Sequence, residues 1–333
     1  MTMTTSPHAS STPVRLVAAA AADGLVMTVV AGTPVADGVV ELTLAESHGH
    51  RLPDWSPGSH IDVVLPGDII RQYSLCGDRW DPFHYRIAVL REPLSRGGSR
   101  YIHDQLAIGD ALPIGGPRNN FALVPAERYL FVAGGIGITP ILPMCRQADL
   151  LGIDWTLIYV GRSRRTMAYL DELADDPRVR VHATDEGPGP DLAAELDAVG
   201  AGTAVYCCGP AELTSAVVDA GATLPVGTVR VEHFVPKELS APVRSRSFEV
   251  ELRRSGQTVT VPPDRSILEA VSDAGVAVLS SCRQGTCGTC DTGVLDGRPD
   301  HRDSLLTDSE REHNDCMFIC VSRSCTDTLV LDL

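Results

Sequence analysis

The sequence predicts a multidomain fold in which a small antiparallel β-barrel is followed by an α/β domain and then by a compact α+β domain. The chain has 333 residues, which is too long for one ordinary hydrophobic core. Short β-rich runs fill its first third, strands alternate with helices in the middle, and a new α+β pattern begins near Phe248. The predicted domains are 25–123, 124–236 and 247–333, with a flexible tail at 1–24 and a linker at 237–246.

The barrel is predicted from five short runs that are rich in β-branched and apolar residues and separated by turn residues. Short strands at such spacing are typical of a small antiparallel barrel. The runs are 26–31, 39–44, 60–65, 72–75 and 85–90.

The middle domain is predicted from buried strands at 129–133, 156–160, 179–182 and 205–208 and a helix at 212–220. This alternation indicates a parallel sheet. The linker carries proline, serine and basic residues without apolar periodicity. The last domain follows with strands at 248–252, 258–261 and 328–331, a helix at 266–274 and a long cysteine-containing loop.

Composition excludes several classes of function. There are 28 basic and 43 acidic residues, a formal charge of −15, which argues against sequence-independent nucleic-acid binding. No apolar run reaches the roughly 20 residues that cross a bilayer. The opening segment lacks a basic cluster and a good secretory core, so we expect a cytoplasmic protein that does not bind membranes. Ten cysteines, four of them in one pattern, favour a reducing compartment.

Four cysteines near the C-terminus form the most specific motif. Three stand as Cys-x4-Cys-x2-Cys and the fourth follows after 29 further residues, which is the ligand spacing of a plant-type [2Fe-2S] centre. Gly285 and Gly288 give the loop room to turn its backbone amides toward the sulfurs. The predicted ligands are Cys282, Cys287, Cys290 and Cys320.

Structural zinc is the alternative for four thiolates, although zinc ligands are normally arranged as two short pairs. Cys316 and Cys325 flank the fourth ligand at the wrong spacing and are interpreted as packing residues. Arg283 and Thr286 lie inside the loop and are candidates for contacts to the ligand sulfurs.

The stretch SSCRQGTCGTCDTGVLDG, followed by FIC, resembles the plant-type ferredoxins over about the last 86 residues. The resemblance implies a β-grasp fold and one-electron chemistry.

A glycine-rich turn follows the apolar strand YLFVA and precedes a helix. Such glycines let a pyrophosphate approach a helix N-terminus, although tight packing alone also explains them. The candidate dinucleotide-binding residues in GGIGITP are Gly134, Gly135, Gly137, Thr139 and Pro140.

Two further motifs lie on either side of this turn: RQYSL before it and CCGP after it. The three motifs in this order resemble the ferredoxin-NADP reductase superfamily over about 25–236. The resemblance implies a flavin barrel followed by a nicotinamide domain. The cofactor-binding residues that it implies are Arg71, Gln72, Tyr73, Ser74, Leu75, Cys208, Gly209 and Pro210.

The same resemblance assigns finer roles. Arg71, Tyr73 and Ser74 are expected to hold the flavin phosphate, the ring edge and the N5 region. Cys208 is expected beside the nicotinamide, and Phe234 near the flavin face, so Ser74, Cys208 and Phe234 are the candidate catalytic residues. Each residue type is commonplace by itself, and the joint order of the motifs carries the interpretation.

The flavin barrel and the nicotinamide domain, followed by a C-terminal ferredoxin, resemble the phthalate dioxygenase reductase family. This resemblance implies that the flavin is FMN. Within RGGSR, Gly97, Gly98 and Ser99 match that family's second phosphate-contacting segment. A solvated basic loop is the alternative.

The choice between NADH and NADPH stays open. An acidic residue after the second parallel strand would favour NADH, but Arg162, Ser163, Arg164 and Arg165 stand there. They are able to embrace a 2′-phosphate, or they form a solvated loop. Family members generally use NADH.

Nicotinamides deliver two electrons and [2Fe-2S] centres accept one, so a flavin must lie between them. The resemblance implies a reductase whose partner is a Rieske-type ring hydroxylase or O-demethylase, or a cytochrome P450. A diaphorase or ferric reductase with a redox-sensing cluster domain is the other alternative. From Arg246 onward the sequence contains nine basic and fifteen acidic residues, which suggests that this domain has an acidic docking surface. We expect the protein to be a monomer.

Overall fold

The computed structural model describes residues 25–67, 69–93, 97–234 and 241–333. The predicted tail at 1–24 and part of the predicted linker lie outside these ranges. Of the linker, Val243 donates its backbone N–H to Asp300 at 3.0 Å, and Arg244 forms an ion pair with Asp327. This end of the linker is therefore attached to the last domain.

The first domain is a six-stranded antiparallel sheet with the order β4-β3-β6-β1-β2-β5. A bridge between Leu75 and Ile87 joins its two outer strands, so the sheet curls into a barrel as predicted. The elements are β1 (Leu25–Ala36), β2 (Val39–Glu46), β3 (Ser59–Leu65), β4 (Ile69–Ser74), β5 (His84–Leu90), α1 (Gly98–Asp104) and β6 (Ala111–Asn119).

Two elements of this domain were not predicted. The β6 segment ALPIGGPRN holds two prolines and two glycines, so its intrinsic strand preference is weak, and it is a strand because it pairs with β1 and β3. Helix α1 begins at Gly98, inside the segment that the sequence suggested as a phosphate-contacting loop.

The second domain is a five-stranded parallel sheet with the order β11-β10-β7-β8-β9. The chain leaves β7 toward one side for β8 and β9 and returns to the other side for β10 and β11. Ligands bind at such switch points, outside the carboxyl ends of the strands. The elements are β7 (Arg128–Gly134), α2 (Ile138–Leu151), β8 (Asp154–Gly161), α3 (Leu170–Leu173), β9 (Val179–Ala183), α4 (Leu192–Asp197), β10 (Thr203–Cys208), α5 (Ala211–Ala220) and β11 (Val229–Glu232).

The third domain is a mixed sheet with the order β13-β12-β18-β14-β16, in which β12 and β18 are parallel. A capping box of Ser266 and Glu269 starts its main helix. The elements are β12 (Phe248–Leu252), β13 (Gln257–Val261), α6 (Ile267–Asp273), β14 (Asp291–Asp296), β15 (Pro299–Asp300), α7 (Asp308–His313), β16 (Cys316–Phe318), β17 (Arg323–Ser324) and β18 (Thr328–Leu331).

The hydrophobic cores connect the first two domains. Barrel residues such as Ala88 and Phe121 pack in one cluster with Phe131 and Tyr206 of the parallel sheet, while the third domain has a core of its own. Among the described residues, no helix combines the length and the apolar character that a membrane span requires.

Candidate functional site

One cavity of about 300 Å³ is lined by residues of all three domains. Strand β4 forms one wall, the start of α2 and the end of β11 form another, and the cysteine loop contributes Cys282, Gln284 and Thr286. The predicted cofactor residues on its wall are Arg71, Gln72, Tyr73, Ser74, Ser99, Thr139 and Phe234.

The other predicted cofactor residues lie outside this wall. Leu75 is fully buried in the barrel core, where its backbone N–H donates to Ser59. The remaining ones are not among the residues that line this cavity and lie at the start of α1 or in the second domain; they are Gly97, Gly98, Gly134, Gly135, Gly137, Pro140, Arg162, Ser163, Cys208, Gly209 and Pro210.

The two predicted phosphate-contacting segments meet at one end of the cavity. A Cβ atom added to Gly98 would lie 2.7 Å from Cγ of Arg71, so the arginine side chain lies directly on the start of α1. Ser99 is buried beside it, and its Oγ accepts the backbone N–H of Glu92 at 3.2 Å. A guanidinium, a hydroxyl and the start of a helix therefore converge here, which is the donor set that suits a phosphate.

Two buried polar atoms of the cavity wall find no hydrogen-bond partner among the described residues: Oγ of Ser74 and Nε2 of His60. Unpaired polar atoms in a protein interior are costly, so this wall is built for a polar ligand that the protein alone does not supply. Burial, and then the charge of Arg118, lowers the pKa of His60 to about 4, so its ring is neutral near pH 7. A flavin ring fits this requirement.

The glycine-rich turn and the CCGP motif pack against each other at the switch point. A Cβ atom on Gly137 would lie 2.2 Å from the carbonyl oxygen of Cys208, so no larger residue fits without moving the backbone. The N-terminus of α2 thus lies beside the carboxyl end of β10, as the dinucleotide interpretation expects.

Cys208 and Glu232 are paired on neighbouring strands, where the thiol is fully buried and the carboxyl is half-buried. The Cys208 thiol lies 3.7 Å from Oε2 of Glu232, which lines the cavity. Burial raises the pKa of Glu232 to about 8, and burial followed by the Glu232 charge raises the pKa of Cys208 well above its ordinary value. The thiol is therefore neutral, and the carboxyl is able to hold a proton near pH 7.

The basic loop after β8 is already engaged in ion pairs. Nε of Arg164 lies 3.0 Å from both carboxylate oxygens of Glu186, and Arg165 pairs with Asp37 of the barrel at 2.7 Å. Arg162 is exposed. Two of the three cations that were candidates for a 2′-phosphate thus have carboxylate partners.

The cysteine loop turns its backbone amides toward sulfur, as the glycine pattern predicted. The amides of Gln284 and Thr286 lie 3.3 and 3.4 Å from Sγ of Cys282, and Gly285 and Gly288 have φ of 71° and 72°. Cys282 also lies within hydrogen-bonding reach of Cys287 and Cys320, and these contacts hold the pKa of its thiol below the ordinary value.

The four predicted ligands therefore belong to one cluster of thiols, since Cys290 is also in contact with Cys320. Cys287, Cys290 and Cys320 are buried and Cys282 is half-buried. Four thiols with amide donors around them fit a [2Fe-2S] centre.

Two residues of the site were missed by the sequence interpretation. His60 lies in β3, which also holds the polar residues Ser59 and Asp62, and Glu232 stands two positions before Phe234 at the end of β11. No sequence signal marked His60, because the alternation along β3 places it on the face of the strand that is normally exposed to solvent.

Comparisons with known proteins agree with this arrangement. Residues 250–325 match the 2Fe-2S iron-sulfur cluster binding domain. Phenoxybenzoate dioxygenase subunit beta from Ectopseudomonas oleovorans is 45% identical, over 90% of this chain and 94% of that protein.

Two solved structures are also similar. Phthalate dioxygenase reductase matches with a TM-score of 0.68 and 37% identity, over 93% of this chain and 98% of that one. An intact type IV self-sufficient cytochrome P450 monooxygenase matches with a TM-score of 0.88 and 46% identity, but this chain spans 41% of that protein.

Proposed function

The chain belongs to the phthalate dioxygenase reductase family, and from this premise we propose that it delivers electrons to a Rieske-type oxygenase that acts as an aromatic ring hydroxylase or an O-demethylase. It is an NAD(P)H-dependent flavin iron-sulfur oxidoreductase. The observation that carries the proposal is the cavity shared by β4, the end of β11 and the cysteine loop, because it brings a cluster ligand to the wall of the flavin site.

FMN supplies the conversion between the two electrons of a hydride and the single electrons of a [2Fe-2S] centre. We propose that Arg71 and Ser99 hold its phosphate and that Ser74 and His60 pair with polar atoms of its ring. The two atoms without partners support this assignment, since a ligand there satisfies both of them.

We assign the dinucleotide to the switch point between β7 and β10. There the N-terminus of α2 offers amides to the pyrophosphate, and Cys208, at the carboxyl end of β10, is proposed to lie beside the nicotinamide. Glu232 is proposed to hold a proton at its carboxyl beside the cavity, where its raised pKa supports exchange near neutral pH. Phe234, 41% exposed, lines the cavity and is proposed to lie near the flavin face.

The four cysteines are proposed as the cluster ligands, with Cys282 as the ligand that faces the cavity. None of the ten cysteines, all of them in the described ranges, forms a disulfide, which supports a cytoplasmic location. A monomeric state is part of the same proposal.

A cytochrome P450 is the second candidate partner, because the structure with a TM-score of 0.88 belongs to a P450 monooxygenase. Anaerobic mixing of the NADH-reduced holoprotein with a purified Rieske oxygenase component, or with a purified P450 haem domain, separates the two. We expect the visible spectrum of the Rieske centre to bleach faster than the P450 gains its carbon monoxide spectrum. Faster reduction of the P450 would reverse the assignment, and reduction of neither would contradict the role of a reductase for oxygenases.

A further inference from the structure

Strand β3 carries two polar residues on the face that points away from the barrel core. Ile61, Val63 and Leu65 pack inside the barrel, so His60 and Asp62, which alternate with them, point outward. Both are nevertheless buried, with 5% and 2% exposure. Something other than the barrel core therefore covers this face.

A row of polar side chains runs across this face from β6 to the cysteine loop. Asp62 forms an ion pair with Arg118 of β6 and accepts Nε2 of Gln72 on β4 at 2.7 Å. The same Nε2 lies 2.5 Å from Oγ of Ser281, the residue before Cys282. A continuous hydrogen-bonded chain thus links three barrel strands to a segment more than 200 positions away.

A second contact joins the barrel to the same loop. Nδ2 of Asn120, just after β6, donates to the carbonyl oxygen of Cys287 at 2.7 Å. A Cβ atom on Gly288 would lie 2.7 Å from that nitrogen, so the asparagine amide lies flat against the loop backbone. One contact therefore holds the loop just before the predicted ligand Cys282, and the other holds it at the predicted ligand Cys287.

We propose that these contacts, Gln72 to Ser281 and Asn120 to Cys287, form a docking latch that seats the cysteine loop on the flavin-binding strand and thereby governs the passage of electrons between them. Contacts between domains of one chain are often weak and reversible. Hydrogen bonds fix the relative position of two domains more precisely than apolar packing alone. Asp62 and Arg118 are positioning residues, because they orient the Gln72 amide without touching the loop.

This inference rests on the proposed placement of the flavin in the cavity and of the cluster on the four cysteines. The test uses the holoprotein with the double substitution Asn120→Leu and Ser281→Ala, which removes one donor and one acceptor of the latch and leaves Gln72 in place. The matched control is Ser255→Ala with Gln257→Leu, the same kinds of change in the exposed hairpin between β12 and β13.

The first readout is hydrogen–deuterium exchange of the segment 280–290. We expect the amides of this loop to exchange about tenfold faster in the latch variant than in the wild type or the control, since two hydrogen bonds are lost. The second readout is the lag between bleaching of the flavin and bleaching of the cluster after anaerobic mixing with NADH. We expect it to lengthen about tenfold while flavin bleaching itself keeps its rate.

Unchanged exchange in the loop would overturn the latch. Faster exchange with an unchanged lag would overturn the claim that seating governs electron passage. If the wild-type protein showed no flavin bleaching at all, the proposed function would fail instead of the latch, so the two failures are distinguishable.

Discussion

At the scale of single residues, the cysteines of the third domain divide into two groups. Cys287 is 2% exposed and lies in the loop whose amides point at sulfur, whereas Cys316 lies in β16, outside that loop. Similar side chains in one domain therefore have different surroundings.

Replacing Cys287 by serine should abolish cluster assembly and leave flavin reduction by the nicotinamide within about twofold of the wild-type rate, because the flavin wall is formed by other residues. Cys316→Ser is the control and should keep its cluster. The measurements are the iron content, the visible spectrum and the rate of flavin bleaching. Loss of flavin reduction in the Cys287 variant would contradict the modular picture.

Glu232 gives a prediction about pH. Its carboxyl has a pKa raised from 4.5 to about 8, so the folded protein keeps a proton that the unfolded chain releases. The contribution of this raised pKa to the stability of the folded state is fully present below about pH 4.5. It is lost as the pH rises toward 8.

Glu232→Gln should therefore gain stability relative to the wild type when the pH is raised from about 5 to about 8, by on the order of 2 kcal/mol. Denaturant unfolding of both proteins at the two pH values measures the difference, with the exposed Glu212→Gln as control. A difference that does not vary with pH would show that the carboxyl is ionised in the folded state.

The sequence predicted the single residues unevenly. The cluster ligands follow from a local spacing, and Ser74 and Phe234 from motifs whose order is itself informative. His60, Asp62 and Glu232 could not be predicted as site residues. Their environment depends on which segments of the chain pack against them, and no local sequence pattern indicates that packing.

At the scale of elements, we propose that the loop after β8 decides between NADH and NADPH. The Nε–H of Arg164 is shared between the two carboxylate oxygens of Glu186, and Arg165 pairs with Asp37, so both of these candidate cations already have carboxylate partners. This arrangement favours NADH.

Glu186→Gln should free Arg164 and raise kcat/KM for NADPH about tenfold, with little effect on NADH, since a released guanidinium is able to pair with the phosphate. Steady-state reduction of a soluble acceptor with each dinucleotide measures this. Glu172→Gln, whose partner is Arg146, is the matched control. A wild-type protein that already prefers NADPH would contradict the argument.

Most elements could be predicted from their apolar period, since nearly all predicted strands coincide with observed ones within a few residues. Several strands were not predicted, namely β6, β11, β14, β15, β16 and β17, and β6 shows the reason most clearly. Its glycines and prolines favour a turn, and tertiary pairing with β1 and β3 overrides that preference.

At the scale of the whole molecule, the three domains share one cavity, and the electron path follows from that arrangement. The order of the domains could be predicted from the order of the motifs. The contact of the cysteine loop with β4 through Gln72 and Ser281 could not be predicted, because the two residues are 209 positions apart and neither motif indicates that it contacts the other.

Anaerobic stopped-flow absorbance of the purified protein mixed with NADH is the most direct test of the central claim, that electrons pass from the dinucleotide through the flavin to the protein's own cluster. We predict that flavin absorbance bleaches first and cluster absorbance second. A protein that is colourless and contains zinc without flavin, or one whose flavin bleaches while its cluster stays oxidised, would contradict the account.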